Sequence, residues 1–553
     1  MSQKLLEVID PELVASGIAK DSHPLQAPLW VDGRNVVFRD GKVRKAPGRR
    51  EIFQGGTFSV PTRSLKALLF DGVPTLFWSN SEMDDDVWVL VRFIPSEYAY
   101  PTAGFAYAFG TELPTNTIIS LEAFGSWCLS NYGAVGDIGD VVNKVHINKT
   151  KPTTFGAQSA NPASLFVPVA NSPAARILLK AGVHMLAINT KAGNGYSGEV
   201  GPGFFSWSAE DDVEEWNQAE ADFLPIRDLS SEILSAAPIG NAYAMYTENE
   251  MAVANYLGAP YYFGAEVKLR GIGASSQNSI VSRGRLNYGI SKDGAWVTDG
   301  NSYEFIDPPY IRKWLRDNVI WDSPSAVPDI KRTVNGSLNE QQGFIEWSVP
   351  VFDACSFVAS DVLTGVENEP RVRIRYDFNR KHWTFKTADL SSGLGSVADN
   401  SWCGALARGV LPYPVTAGVG NSIQYEEYGL DRAGSFTDGF GSVVNYTYPI
   451  HSWVQSKPFH CGNATLEKIL DYVKVHMSEL AGTAPKLYVG IQRDLNDAIT
   501  WMDPQTLSDD GSPLFYKNAT GFYISIKIDS HDVGSDWACS GFELWGVTNG
   551  AQV

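Results

Sequence analysis

Arg371-Val372-Arg373-Ile374-Arg375-Tyr376 alternates without a break. In an extended chain Val372, Ile374 and Tyr376 fall on one face and the three arginines on the other, the period of two that marks a strand. The arginine face reads first as a solvated outer strand, and second as a face meeting acids on a neighbouring subunit. The alternation returns at Phe522, Ile524, Ile526 and Ile528, which interleave with Tyr523, Ser525 and Lys527. Around these runs the 51 Gly and 30 Pro punctuate the 553-residue chain, about one every seven residues, which suits short strands and turns. Asp-Gly dipeptides at Asp32-Gly33, Asp40-Gly41, Asp293-Gly294 and Asp299-Gly300 supply the positive φ that tight hairpins need.

Helical signal is sparse. The best stretch is Asp307 to Leu315, where Asp307 can cap, Pro308 and Pro309 suit a first turn, and Ile311, Trp314 and Leu315 share a face. The run Leu466–Met477 fits either period and is read as a strand, because Gly482 and Pro485 lead into a second β-like run. Hairpin-like units recur at Trp127, His184, Tyr243, Leu286, Phe344 and Trp402. Such recurrence in an all-β chain predicts propeller blades. The expected fold is therefore all-β: an irregular β-propeller of about six blades, residues 56–454, interrupting a β-sandwich platform built from both chain ends. The platform is expected to take residues 1–55, which hold a dense hairpin, and residues 455–553, which hold longer alternating strands.

Composition narrows the function classes. Hydrophobic residues make up 44% and charged ones 19%, which excludes a disordered chain. No charged leader with an apolar run opens the sequence, and no apolar stretch is long enough to span a bilayer, so a protein made in a cytoplasm is expected. Five scattered cysteines without a CxxC pair indicate neither a zinc ribbon nor a disulfide framework. The GxGxxG string at Gly193–Gly198 lacks the following helix that a pyrophosphate site requires, and reads as a loop. Ser291 to Trp296 is a near miss to the Asp-box turn of sialidase-like propellers and reads as an ordinary hairpin. There is no HExxH and no GxSxG elbow. No catalytic residue, cofactor or metal ligand is expected, and the protein is read as a non-enzyme.

Charge is unevenly spread. Seven cations, Arg34, Arg39, Lys42, Arg44, Lys45, Arg49 and Arg50, stand against Asp40 alone, so residues 34–50 carry +6 and the rest of the chain −24 of the total −18. This segment reads as a docking surface for an acidic partner, or for DNA entering from above, against the plainer reading of a solvated hairpin. The acidic runs Asp84-Asp85-Asp86 and Glu210-Asp211-Asp212 read as solvated loops; calcium binding is the alternative, though neither has the spaced oxygens and turn Gly of an EF-hand loop, and a place in a channel wall is another.

The stretch Leu29 to Gly48, LWVDGRNVVFRDGKVRKAPG, resembles the opening of tail nozzle proteins of short-tailed bacteriophages, also called tail tubular protein B or packaged-DNA stabilisation proteins. The shared pattern is a Trp, then Asn-Val with an aromatic, then Gly, then a basic residue before Pro-Gly. Further likeness lies at Phe205-Ser-Trp-Ser with Trp216, at Arg285 to Ile290 with Asp299-Gly300, at Arg375-Tyr-Asp-Phe with Trp383, and at Gly418 to Gly429. The resemblance implies a structural virion protein, synthesised in the bacterial host cytoplasm and located in the phage tail. It implies a homohexameric ring that extends the adaptor channel, retains packaged DNA and conducts it during ejection. The implied partners are the tail adaptor, tail fibres or spikes, and genomic DNA passing without sequence-specific contacts. The alternative reading is a β-propeller, virion-borne or secreted, that binds or cleaves surface polysaccharide.

Overall fold

The computed structural model describes residues 4–549 except 20–22, 24–26, 55–63, 71–72, 82–87, 94–105, 110–119, 125–126, 132–145, 149–166, 194, 219, 322–333, 341, 353–370, 388–402, 406–414, 418–421, 427–428 and 438–442. Among these residues the chain is β almost throughout, with two helices, Pro11–Val14 and Pro309–Asn318. No helix is long and apolar enough to cross a membrane.

Six antiparallel four-stranded sheets follow one another along the sequence, at 64–109, 120–168, 174–225, 235–270, 281–305 and 335–387. A further sheet begins with Cys403–Ala405, Val415–Ala417 and Ser422–Glu426, and takes Arg49–Gln54 as its fourth strand. The first strands of these seven sheets touch in cyclic order, and the last touches the first. The propeller is thus closed without a covalent link, by a strand that precedes blade 1 in sequence and completes blade 7. Arg432–Thr437 then pairs in parallel with that closing strand, and Val443–Tyr448 extends the sheet.

Seven sheets are described where spacing suggested about six blades. Five of the recurrent units fall on the second strands of blades 2 to 6 and the sixth on blade 7. Blade 1 escaped the count, although Phe77-Trp78-Ser79 lies on its second strand, Val73–Ser81.

The platform is two sheets. One runs in the order Val36–Arg39, Lys42–Lys45, Asp536–Asn549, Glu467–Ala481, Leu514–Gly521, with Lys4–Ile9 also on Asp536–Asn549. The other runs Trp30–Arg34, Ser452–Ser456, Tyr523–Ser530, Lys486–Gln492, with Thr500–Trp501 and Gln505–Thr506 on the last. Both chain ends supply both sheets. Ile524, Ile526, Ile528, Val473, Val475, Leu487, Trp537 and Phe542 fill one buried cluster with Trp30, Phe38 and Val43. The expected strand over 466–477 is present, as Glu467–Ala481.

That cluster continues into blades 5 and 6 through Tyr288, Trp347, Tyr376 and Trp383, and into helix Pro309–Asn318 through Ile311, Trp314 and Leu315. Burying aromatics of this size removes roughly 150–250 Å² each from water, worth several kcal/mol at about 25 cal/mol per Å². Asp307 does not cap the helix. Pro308 holds the cap position without a side-chain bond, and the Asp307 carboxylate pairs with Arg312 at 2.9 Å.

The strand Arg371–Asp377 corrects one expectation. Val372, Ile374 and Tyr376 are buried as the alternation requires, but Arg373 and Arg375 are buried as well. Both pair with Glu346 on the adjacent strand Phe344–Pro350, at 3.2 and 2.9 Å. The strand lies third in its blade, with neighbours on either side, so Arg373 and Arg375 are paired inside this chain. Asp32-Gly33 also differs: it lies within strand Trp30–Arg34, beside a shift in register against Ser452–Ser456, and makes no turn.

Candidate docking site at the basic hairpin

The basic segment forms the hairpin Val36–Arg39 with Lys42–Lys45, registered Val36 to Lys45 and Arg39 to Lys42. Asp40 and Gly41, with φ of 53° and 72°, make the two-residue turn that needs positive φ at both central positions. Val36, Phe38 and Val43 point into the platform core, so Arg39, Lys42 and Arg44 lie toward the surface.

Most of those cations have partners within the chain. Arg44 reaches Glu479 at 3.2 Å and Asp536 at 3.9 Å, and Lys42 reaches Glu479 at 3.4 Å. Arg39 donates to the carbonyl and side-chain oxygens of Gln342, both at 3.1 Å. Lys45 is buried, paired with Asp431 at 3.2 Å, and donates to the Ser535 carbonyl at 2.8 Å. Lys45 therefore belongs to the interior and leaves the docking set, because no partner could reach it. The side chains of Arg49 and Arg50 lie outside the described residues, as do Asp84, Asp85 and Asp86. Glu210, Asp211 and Asp212 are exposed in blade 3, in a sheet other than those of the hairpin.

The hairpin clamps the platform onto blade 6. Arg380 donates to the Phe38 carbonyl and pairs with Asp40, each at 2.9 Å. Asn35 donates its backbone N–H to the Phe385 carbonyl at 3.1 Å, and Ile18 does the same to Trp383 at 3.2 Å. Phe38 meets the His382 ring edge-on at 5.6 Å. Burial, with lesser help from Arg380 and Arg39 and against Asp377, brings the His382 pKa down to about 4.

Arg34 leads to a group that sequence reading missed. Its guanidinium donates to His451 Nδ1 at 2.6 Å, and His451 Nε2 lies 3.0 Å from Asp529. Lys527 and His531 also converge on Asp529, at 2.5 and 3.5 Å. Burial lowers the pKa of both histidines, outweighing Asp529. Burial acting alone would raise Asp529, but the His451 bond and the Lys527 charge bring it down to about 2.

The donor atoms of His451, Asp529 and His531 lie within 4.8 Å of one another, which is ligand spacing. The chemistry opposes a metal ion. Arginine only donates, so the neutral His451 ring must carry its proton on Nε2, where a metal would bind. The Lys527 ammonium stands beside the same carboxylate. The group therefore works as a hydrogen-bonded clamp between strands Trp30–Arg34, Ser452–Ser456 and Tyr523–Ser530. Its one sequence trace is the spacing of Lys527, Asp529 and His531, which alternation puts on one face.

No family model and no curated protein matches this chain. Among solved structures it is similar to PorZ, a surface component of the type-IX secretion system of Porphyromonas gingivalis. The identity is 11% and the TM-score 0.33, over 75% of this chain and 44% of PorZ. It is also similar to the exo-β-1,3-galactanase of Phanerochaete chrysosporium, at 9% identity and a TM-score of 0.23, over 89% of this chain and all of the other. At these TM-scores the fold rests on the strand topology itself.

Proposed function

We propose that this chain is a structural, non-enzymatic subunit of the tail nozzle of a short-tailed bacteriophage. In that role it builds a homo-oligomeric ring, six-fold by resemblance, that extends the adaptor channel, holds packaged DNA and conducts it at ejection. The observation that carries the reading is the place of the nozzle-like stretch Leu29–Gly48. It supplies a strand to each platform sheet and the hairpin that clamps the platform onto blade 6. The layout agrees with the role: a closed propeller interrupts a platform assembled from both chain ends, which suits a platform that stacks on an adaptor and a propeller set outside it. The net charge of −18 suits a conduit that must not grip phosphate. Adaptor docking falls to the half-exposed cations Lys42 and Arg44 with Arg34 and Arg39.

Negative-stain images of the purified protein and of tails test this. Rings that decorate the tail tip are expected, and a strictly monomeric protein absent from virions would overturn it. The docking role has its own test. Lys42→Glu with Arg44→Glu is expected to weaken assembly onto the adaptor while leaving the melting curve close to wild type. Normal tail assembly by that variant removes the hairpin from the interface.

A further inference from the structure

Blades 3 and 4 carry a second surface, away from the basic hairpin. Strands Glu250–Gly258 and Tyr262–Arg270 form the outer hairpin of blade 4. At its tip Tyr256, Leu257 and Tyr261 are exposed, Tyr261 at 76%. The corresponding connection of blade 3 joins Phe204–Trp207 to Asp222–Pro225. Residues 210–222 hold seven carboxylates and no Lys or Arg, with Glu210, Asp211 and Asp212 exposed. Both connections join the third and fourth strands of their blades, so they lie on the same face of the ring.

His184 ties the two together. Its ring is fully buried and lies 5.8 Å from Tyr256, 5.5 Å from Tyr262 and 5.6 Å from Phe263. Its Nδ1 donates to the Ser208 carbonyl at 2.8 Å, and the Asp211 N–H donates to the Val183 carbonyl at 2.9 Å. The acidic loop is thus anchored to the turn whose histidine supports the tyrosines. Partial loss of solvation, and then the charges of Glu220 and Glu210, push the Tyr262 phenol up, so these acids act on the aromatic tip. In the neutral His184 ring Nε2 is an acceptor, and among the described residues nothing bonds to it.

We propose that this ledge binds an extended, arginine- or lysine-bearing segment of a partner protein. Tyrosine faces attract guanidinium and ammonium groups, and a dense row of carboxylates supplies the complementary field. Among the described residues the carboxylates of this loop do not converge on a point as the ligands of one ion would. A row of separate cations on a flexible backbone matches the spread better. Tyr256 and Tyr261 provide the contact area, the acids provide charge, and the buried His184 ring supports the tyrosines from beneath.

The test is fluorescence anisotropy of the full chain with a labelled twelve-residue Arg-Ser repeat, beside Gly-Ser and Glu-Ser repeats. Wild type should bind only the first. The variant Glu210→Gln/Asp211→Asn/Asp212→Asn should lose about tenfold in affinity. Tyr256→Ser/Tyr261→Ser, which leaves the net charge unchanged, should lose about threefold or more. Removing three exposed platform acids, Asp503→Asn/Asp509→Asn/Asp532→Asn, should change little. Equal losses in the platform variant and the blade 3 variant would mean diffuse attraction and overturn the site. So would an unaffected tyrosine variant, no binding of the Arg-Ser repeat, or binding of an oligosaccharide panel in its place. Matching melting curves of all variants keep a folding defect from standing in for lost binding.

Discussion

Lys45 ends the basic hairpin with its side chain 1% exposed and Asp431 3.2 Å away. The other oxygen of Asp431 accepts from the Gly534 N–H at 2.5 Å, and a side chain at Gly48 would run into the Asp431 backbone. One charge pair therefore joins the first crossing between platform and propeller to blade 7 and the C-terminal strands. Removing one partner leaves a buried charge, which costs about 3–5 kcal/mol, whereas replacing both with apolar groups is far milder. Asp431→Ala should lower the unfolding free energy measured in urea by that amount, and Lys45→Met/Asp431→Leu should recover most of it. A single variant that unfolds like wild type would show that the joint does not depend on the pair. Glu346 obeys the same rule. It accepts from Arg373 Nη1 and from Arg375 Nε and Nη2 at 2.9 to 3.2 Å, and the Arg375 guanidinium also lies 3.7 Å from the centre of the Phe344 ring. Glu346→Gln keeps the shape but leaves two buried guanidiniums facing a neutral amide, so a loss of about 3 kcal/mol or more is expected in the same unfolding assay.

The hairpin Val36–Arg39 with Lys42–Lys45 meets blade 6 through a histidine, and that contact makes the joint sensitive to acid. His382 titrates at about 4 in the folded chain, against about 6.5 when unfolded. The unfolded state then binds more protons between those values, so stability falls as pH drops through this window and levels off below it. A shift of that size is worth about 3 kcal/mol. The lowered His451 and His531 act in the same direction. Asp529, held at about 2, adds a loss only below the usual carboxylate range. His382→Phe keeps a ring against Phe38 and removes the proton, so its unfolding midpoint should depend less on pH between 6.5 and 4. A wild-type midpoint that stays flat across that window would falsify the assignment. Local pattern carried the elements well: the strands around Val372 and Ile526, the helix at Ile311 and the Asp40-Gly41 turn follow from side-chain period and turn chemistry. Charge partners were hidden because they are remote in sequence. Glu479, Asp431 and Asp536 neutralise the hairpin from hundreds of residues away, through strand pairings between the two chain ends that no local count contains. His451 reaches Asp529 for the same reason, through the register that sets Trp453 opposite Asp529.

The whole molecule converts this pairing into a statement about charge. Residues 34–50 carry +6 as a segment, but Lys42, Arg44 and Lys45 face acids of the same chain and Arg39 is held by Gln342. The positive field of Lys42, Arg44 and Lys45 is offset where it arises, and the net −18 is left to dominate at a distance. Duplex DNA should meet repulsion rather than a binding groove. Proteins that hold DNA nonspecifically release counterions as cations replace them at phosphates, so their affinity falls with salt by a log–log slope of about −0.9 per contact, from a Kd of about 10⁻⁴–10⁻⁶ M at physiological salt. For this chain the order should invert. Added salt screens like charges, so any residual association should hold level or strengthen as salt rises. A mobility-shift titration of a duplex fragment at several ionic strengths, up to micromolar protein, is expected to show no complex at physiological salt and no steep negative slope. A Kd tighter than about 1 μM that weakens sharply with salt would mean that this chain carries a cationic track, and the proposed channel that lets DNA slide without gripping it could not be built from it.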